Sequence, residues 1–162
     1  MRGAQVREAV VGTIRRVGAT RLGVYAIGRI FSPLQRRLYL LTGGRVSLTG
    51  RAPVLLLTTR GRRTGRERTV PLLYLRGDDG RFVVCNVNPG FERPNPWTLN
   101  LRAHPRAKVQ VGRNVFPATA REATDQELER LWPALVELWP AYAVFLAQGG
   151  KRSVFVLSPL PS

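Results

Sequence analysis

The sequence of 162 residues holds one cysteine, Cys85, and one histidine, His104. A lone cysteine excludes an internal disulfide framework and a thiolate metal site. With a single histidine, in a loop beside Pro105, a His/Cys metal centre or a Ser-His-Asp relay would depend on that one residue, and neither is expected. No segment approaches the roughly 20 consecutive apolar residues of a membrane-spanning helix. Arg7, Arg15, Arg16, Arg21 and Arg29 break up residues 1–30, so no secretory signal is expected and the protein is expected in the cytoplasm. Acidic residues are scarce: ten, against 26 basic ones, for a net charge of +16. Lysine is nearly absent, confined to Lys108 and Lys151.

What the chain has instead is arginine, and most of it lies early. Residues 1–68 carry 15 arginines and two glutamates, whereas the remaining residues are close to balanced. Such a field attracts polyanions: nucleic acid, anionic lipid, or a ligand bearing phosphate and carboxylate groups. A nucleic-acid module is disfavoured because no helix-turn-helix, zinc or RNP signature accompanies the charge. Length and an apolar fraction of 44% fit an ordinary globular core.

Hydrophobic spacing predicts an N-terminal helical part over residues 1–45, followed by a barrel domain over residues 46–162. Val6, Val10, Ile14 and Val17 share one helix face. A second helix is expected to start at Ser32-Pro33, to carry Leu34, Leu38 and Leu41, and to end at Gly43-Gly44. These helices either cover the core or rest as a basic amphipathic element on an anionic membrane, peripheral to its inner face. Strands are predicted over residues 54–59, 68–75, 81–87, 109–111, 115–120 and 154–157, joined by tight Gly- and Asp-rich turns. Asn95-Pro96-Trp97 opens a short helix, and Thr124 with Glu127 forms a capping box before Leu128, Leu131, Leu135 and Leu138. Trp139, Tyr142 and Phe145 are expected to form one aromatic stripe on a last helix. The expected fold class is α+β: an antiparallel, FMN-binding-like barrel of six to seven strands flanked by helices.

Two segments suit ligand chemistry. Gly61-Arg62-Arg63-Thr64-Gly65-Arg66-Glu67-Arg68 joins two strands; its glycines allow close backbone approach, and its guanidinium groups grip phosphate or carboxylate. It lacks the Gly-Lys-[Ser/Thr] ending of a P-loop, and no GxGxxG turn is present. From residue types alone, a solvated charged turn and an anion site both stay open. Asn86-Val87-Asn88-Pro89-Gly90 leads from a strand end toward a helix start, where backbone donors can meet a ring or phosphate.

Taken in order, Leu55-Leu56-Leu57-Thr58-Thr59-Arg60-Gly61-Arg62-Arg63-Thr64-Gly65, Arg68-Thr69-Val70-Pro71-Leu72, Asn95-Pro96-Trp97-Thr98-Leu99-Asn100 and the Trp132-Pro133/Trp139-Pro140-Ala141-Tyr142 pair resemble the deazaflavin-dependent nitroreductase family. These oxidoreductases, found mainly in actinobacteria, use coenzyme F420 on a split β-barrel. The resemblance covers residues 53–159 and implies hydride transfer from reduced deazaflavin to a hydrophobic, electron-poor acceptor of quinone, enone or nitroaromatic type. It implies that Arg62, Arg63, Thr64, Arg68, Thr69, Val70, Pro71, Leu72 and Leu73 line the cofactor groove. Cys85, Asn86, Val87 and Asn88 would run along the ring, and Pro96, Trp97, Thr98, Leu99 and Asn100 would bring a helix start to it. Tyr142 would stand beside ring and substrate as a proton donor. Trp139, Phe145 and Leu73 stand where phenols can occur in relatives, so the substrate wall is more apolar here. The same scaffold would also suit FMN or haem, or a flavin carrier without turnover, as a monomer or homodimer.

Overall fold

The computed structural model describes residues 32–44, 52–88 and 93–161; the helix expected around Val6 to Val17 lies outside them. Six antiparallel strands close into a barrel: β1 (Val54–Arg60), β2 (Glu67–Arg76), β3 (Phe82–Asn88), β4 (Arg106–Val111), β5 (Asn114–Glu122) and β6 (Lys151–Pro159). Their order around the barrel is β1-β2-β3-β6-β5-β4. Four helices are described with them: α1 (Ser32–Thr42), α2 (Pro96–Ala103), α3 (Asp125–Leu138) and α4 (Ala141–Ala147).

Alternation along the strands divides the apolar side chains into two sets. Leu55, Leu57, Phe82, Val84, Val109, Ala118, Phe155 and Leu157 point inward, joined by Trp97 and Leu101 of α2, which plug one end. Val83, Cys85, Val87, Val154 and Val156 point outward and are covered by α3 and α4 through Leu135, Tyr142, Trp132 and Phe145. Fully burying each such aliphatic or aromatic side chain stabilises the fold by about 1.5–3 kcal/mol.

The capping box forms as expected: Thr124 Oγ1 accepts from the Glu127 amide and the Glu127 carboxylate accepts from the Thr124 amide. Arg121 grips the same carboxylate with two nitrogens at 2.7 Å. The Arg121 bond foremost, then the Thr124 amide, holds the Glu127 carboxyl down to about 2. A depressed carboxyl contributes stability above its ordinary value and loses it as pH falls through the folded value. The start of α3 is therefore expected to loosen between about pH 4.5 and about pH 2. Urea midpoints measured across that window should fall further for the wild type than for Glu127→Gln.

The helix at residues 32–42 has the expected bounds, and its leucines are not the side chains it buries. Its buried side chains are Gln35 and Tyr39, whereas Leu34 and Leu41 are exposed and Leu38 is half-buried. Tyr39 decides the rotation. Its hydroxyl donates to the Gln110 carbonyl at 3.3 Å and accepts from the Gly112 amide at 2.5 Å, fastening α1 to the β4–β5 turn. Burial raises the Tyr39 pKa, so the phenol remains a neutral donor. The aromatic stripe is also interrupted: Trp139 caps the end of α3, and Tyr142 and Phe145 belong to α4.

Candidate functional site

The barrel is not sealed along its whole height. β2 and β3 pair only through Tyr74↔Val84, Leu75↔Val83 and Arg76↔Phe82. Residues 67–73 continue pairing with β1, and residues 85–88 continue pairing with β6. Above Tyr74 and Val84 the two strands diverge and leave a split. The Tyr74 amide bonds the Pro53 carbonyl on the β1 side, so strand alternation turns the main-chain groups of Thr69, Pro71 and Leu73 toward the split. On β3 the same alternation turns those of Cys85 and Val87 toward it. Pro71 fits there because it has no N–H to lose on an unpaired edge.

The arginine turn sits at the mouth of this split. The Gly61 amide bonds the Arg66 carbonyl, and the Gly65 amide bonds the Gly61 carbonyl, both at 2.8 Å. Gly65 has φ +67°, which a residue with a Cβ adopts at a cost. Thr64 Oγ1 accepts from the Arg66 amide at 3.3 Å and so works inside the turn. Arg62, Arg63, Arg66 and Arg68 are exposed. The ion pairs among the described residues engage other basic groups, so none of these four arginines has an acidic partner among the described residues.

Three further parts converge on the same end of the barrel, because β1 and β3 finish there while β2 and β6 begin there. The Asn86 amide nitrogen donates to Asn88 Oδ1, and Asn88 Nδ2 donates to the Arg93 carbonyl, both at 2.5 Å. Asn95 caps α2 by accepting from the Trp97 amide, with Pro96 in the first turn. Gly150 turns the chain into β6 with its α-carbon so close to the Asn88 and Phe145 carbonyls that no side chain fits.

Tyr142 reaches this region from outside the barrel. Its hydroxyl donates to the Cys85 carbonyl at 3.3 Å, one of the groups turned toward the split. Burial first, then the neighbouring Cys85, pushes the Tyr142 pKa well above its ordinary value of 10. Tyr142 therefore stays protonated at any working pH. The Cys85 thiol is buried beneath α4 and pushed up to about 12 by burial, so it remains a thiol.

Several expected groove residues lie elsewhere. Val70 and Leu72 point into the barrel core, because they alternate with the outward Thr69, Pro71 and Leu73. Trp97 is buried against Phe155, with ring centroids 5.6 Å apart, and plugs the barrel end instead of walling the groove. Its indole nitrogen is buried without a partner among the described residues. Thr98 is fully buried, its hydroxyl donating to the Asn95 carbonyl at 2.7 Å. Leu99 is half-buried on the same helix. Asn100 is buried and bonds the arginine turn, a role the sequence did not reveal because its partners lie 38 and 41 residues away. No group of three or more His, Cys, Asp and Glu side chains among the described residues could hold a metal.

An antiparallel six-stranded barrel opened between two strands is the split barrel of flavin- and deazaflavin-binding proteins. Residues 28–159 match the family model of the F420H(2)-dependent quinone reductases, and the chain belongs to that family. It is accordingly an oxidoreductase, and its cofactor is coenzyme F420. The chain is 34% identical over 108 residues to an F420H(2)-dependent quinone reductase of Mycobacterium tuberculosis, covering 64% of this chain and 72% of that one. A solved F420-H2 dependent reductase superposes with a TM-score of 0.58 at 32% identity, covering 65% of this chain and 94% of that one. A solved domain-swapped dimer gives 0.60 at 29% identity, covering 77% and 96%. The family shares the deazaflavin reductant implied by the sequence resemblance, and its description names a quinone as the acceptor.

The residues at the split fit this cofactor on two grounds. Arginines at the mouth that are not ion-paired with a described residue suit a phosphodiester and glutamyl tail. Unpaired strand edges offer amides and carbonyls to the rim of a planar heterocycle.

Proposed function

We propose that the chain binds coenzyme F420 in the split between β2 and β3 and reduces quinones there. The observation that carries this proposal is the early end of the β2–β3 pairing, directly beside four arginines without acidic partners among the described residues. Arg62, Arg63 and Arg68 would bind the anionic tail. The amides of Cys85 and Val87 would orient the ring, and the outward Thr69, Pro71 and Leu73 would form the floor beneath it. Reduced F420, when bound, supplies a hydride. Accepting it leaves a quinone oxygen that needs one proton. The Tyr142 hydroxyl, at the edge of the split, would turn its one hydrogen from the Cys85 carbonyl to that developing oxyanion, and the proton itself would come from solvent as the product leaves. The buried faces of α3 and α4 keep water from this side.

Tyr142→Phe is expected to lower turnover about tenfold or more, with the F420 dissociation constant nearly unchanged. The rate profile of the wild type should show no tyrosine limb below about pH 10. Unchanged turnover in Tyr142→Phe would leave the hydroxyl only a strut for β3. The acceptor class is tested by following F420H2 oxidation with quinone, enone and nitroaromatic panels; the quinone should be the fastest, and silence with every quinone would overturn the proposal.

Within this function, residues 1–42 would hold the protein on an anionic membrane surface where an apolar quinone is found. Support comes from α1, which exposes Leu34, Leu40 and Leu41 beside Arg36 and Arg37. No described helix is long and apolar enough to cross a membrane. Flotation with anionic vesicles should recover the full chain, and recovery equal to that of a chain lacking residues 1–31 together with a Leu34→Ser, Leu41→Ser change would overturn the surface role.

A further inference from the structure

Asn100 occupies a position that none of the preceding chemistry requires of an asparagine. It lies in the last turns of α2, buried to 5% exposure, away from the helix start. Its two amide ends reach two different elements. Oδ1 accepts from the Arg62 main-chain amide at 3.1 Å, and Nδ2 donates to Thr59 Oγ1 at 3.1 Å. Thr59 is itself 1% exposed, the last buried residue of β1 before the arginine turn. The remaining hydrogen bonds described for residues 61–66 are internal to the turn. A single buried side chain thus ties the tip of the turn to the rigid part of the fold.

We propose that Asn100 is a positioning residue for the anionic tail of the cofactor, acting through the backbone of Arg62. The inference rests on the proposed tail-binding role of the arginines and adds what fixes them in place. An exposed arginine pays rotamer entropy to hold an anion, and a backbone that also wandered would add to that cost. The donor and acceptor ends of the amide match their partners in one orientation only: a main-chain N–H requires an oxygen, and the nitrogen then faces the threonine hydroxyl. Alanine at this position would leave the Arg62 amide and the Thr59 hydroxyl without these partners, freeing the turn while leaving every guanidinium present.

The test compares affinity for oxidised F420 with affinity for the tail-less 8-hydroxy-5-deazaflavin ribitol compound, both followed by ligand fluorescence on the full chain. The ratio of the two dissociation constants measures what the tail contributes. In Asn100→Ala that ratio should shrink by about tenfold, the loss of roughly one hydrogen bond's worth of ordering, while affinity for the tail-less compound stays within about twofold of wild type. Thr59→Val, which removes the anchor of the strut, should shrink the ratio in the same sense, and Thr59→Ser, which keeps the hydroxyl, should restore it. If Asn100→Ala does not fold, the Thr59 pair decides. A wild-type ratio near one would overturn the tail-binding role of the arginines themselves. A large wild-type ratio that survives Asn100→Ala, or an equal loss for both ligands, would overturn the role given to Asn100.

Discussion

Replacing Arg62 and Arg63 together with alanine is expected to weaken coenzyme F420 binding by about a hundredfold. A hydrogen bond to a charged group contributes about 1.5–3 kcal/mol. Both side chains are exposed, so solvent screening places each near the lower end, about tenfold per arginine. Because the contacts are electrostatic, the wild-type affinity should fall steeply as ionic strength rises, and the double variant should respond less. Neither arginine is ion-paired with a described residue, so the substitutions should leave the unfolding free energy within about 0.5 kcal/mol of wild type. Fluorescence titration and urea unfolding of the same samples check both halves. A stable double variant that binds as tightly as wild type would make this segment a charged turn and nothing more.

Trp97→Ala is expected to cost about 3–5 kcal/mol of stability, as removal of a large buried aromatic does. Trp97 is 2% exposed, packs on Phe155 and plugs the barrel end with Leu101. Its indole N–H is buried without a partner among the described residues, and an unmet donor carries a desolvation penalty. Trp97→Phe would keep an aromatic against Phe155 and discard the lone donor, so its cost should stay below about 1.5 kcal/mol. Denaturant midpoints for the two variants separate packing from polarity. Equal losses would show that the N–H is bonded in solution and carries the energy. The plug also locates the site: α2 carries both Trp97 and Asn100, so its seating sets the height of the arginine turn.

The barrel was legible in the sequence because its hairpins are punctuated by residues with a fixed job. Gly77-Asp78-Asp79-Gly80 and Gly112-Arg113-Asn114 mark turns by conformation and side-chain chemistry, and the strands between them needed only a local pattern. The face of β2 was not legible. Val70, Pro71, Leu72 and Leu73 are all apolar, and only the closed barrel distinguishes the inward Val70 and Leu72 from the outward Pro71 and Leu73. Pro71 in mid-strand did carry a signal: it marks an edge, and the edge is the split. For α1 the leucines do not mark the buried face, since a buried glutamine and tyrosine fasten it to the barrel. Tyr39 makes those bonds 71 and 73 residues away, at a distance no periodicity reports. The same holds for Tyr142 on the Cys85 carbonyl and for Asn100 on the turn.

The most direct measurement is a fluorescence titration of the purified full chain with oxidised coenzyme F420, FMN and single-stranded DNA at one ionic strength. Saturable binding of F420 tighter than either competitor, and lost on replacing Arg62 and Arg63, is the predicted result. Binding confined to FMN or to DNA would contradict the assignment of the split to a deazaflavin.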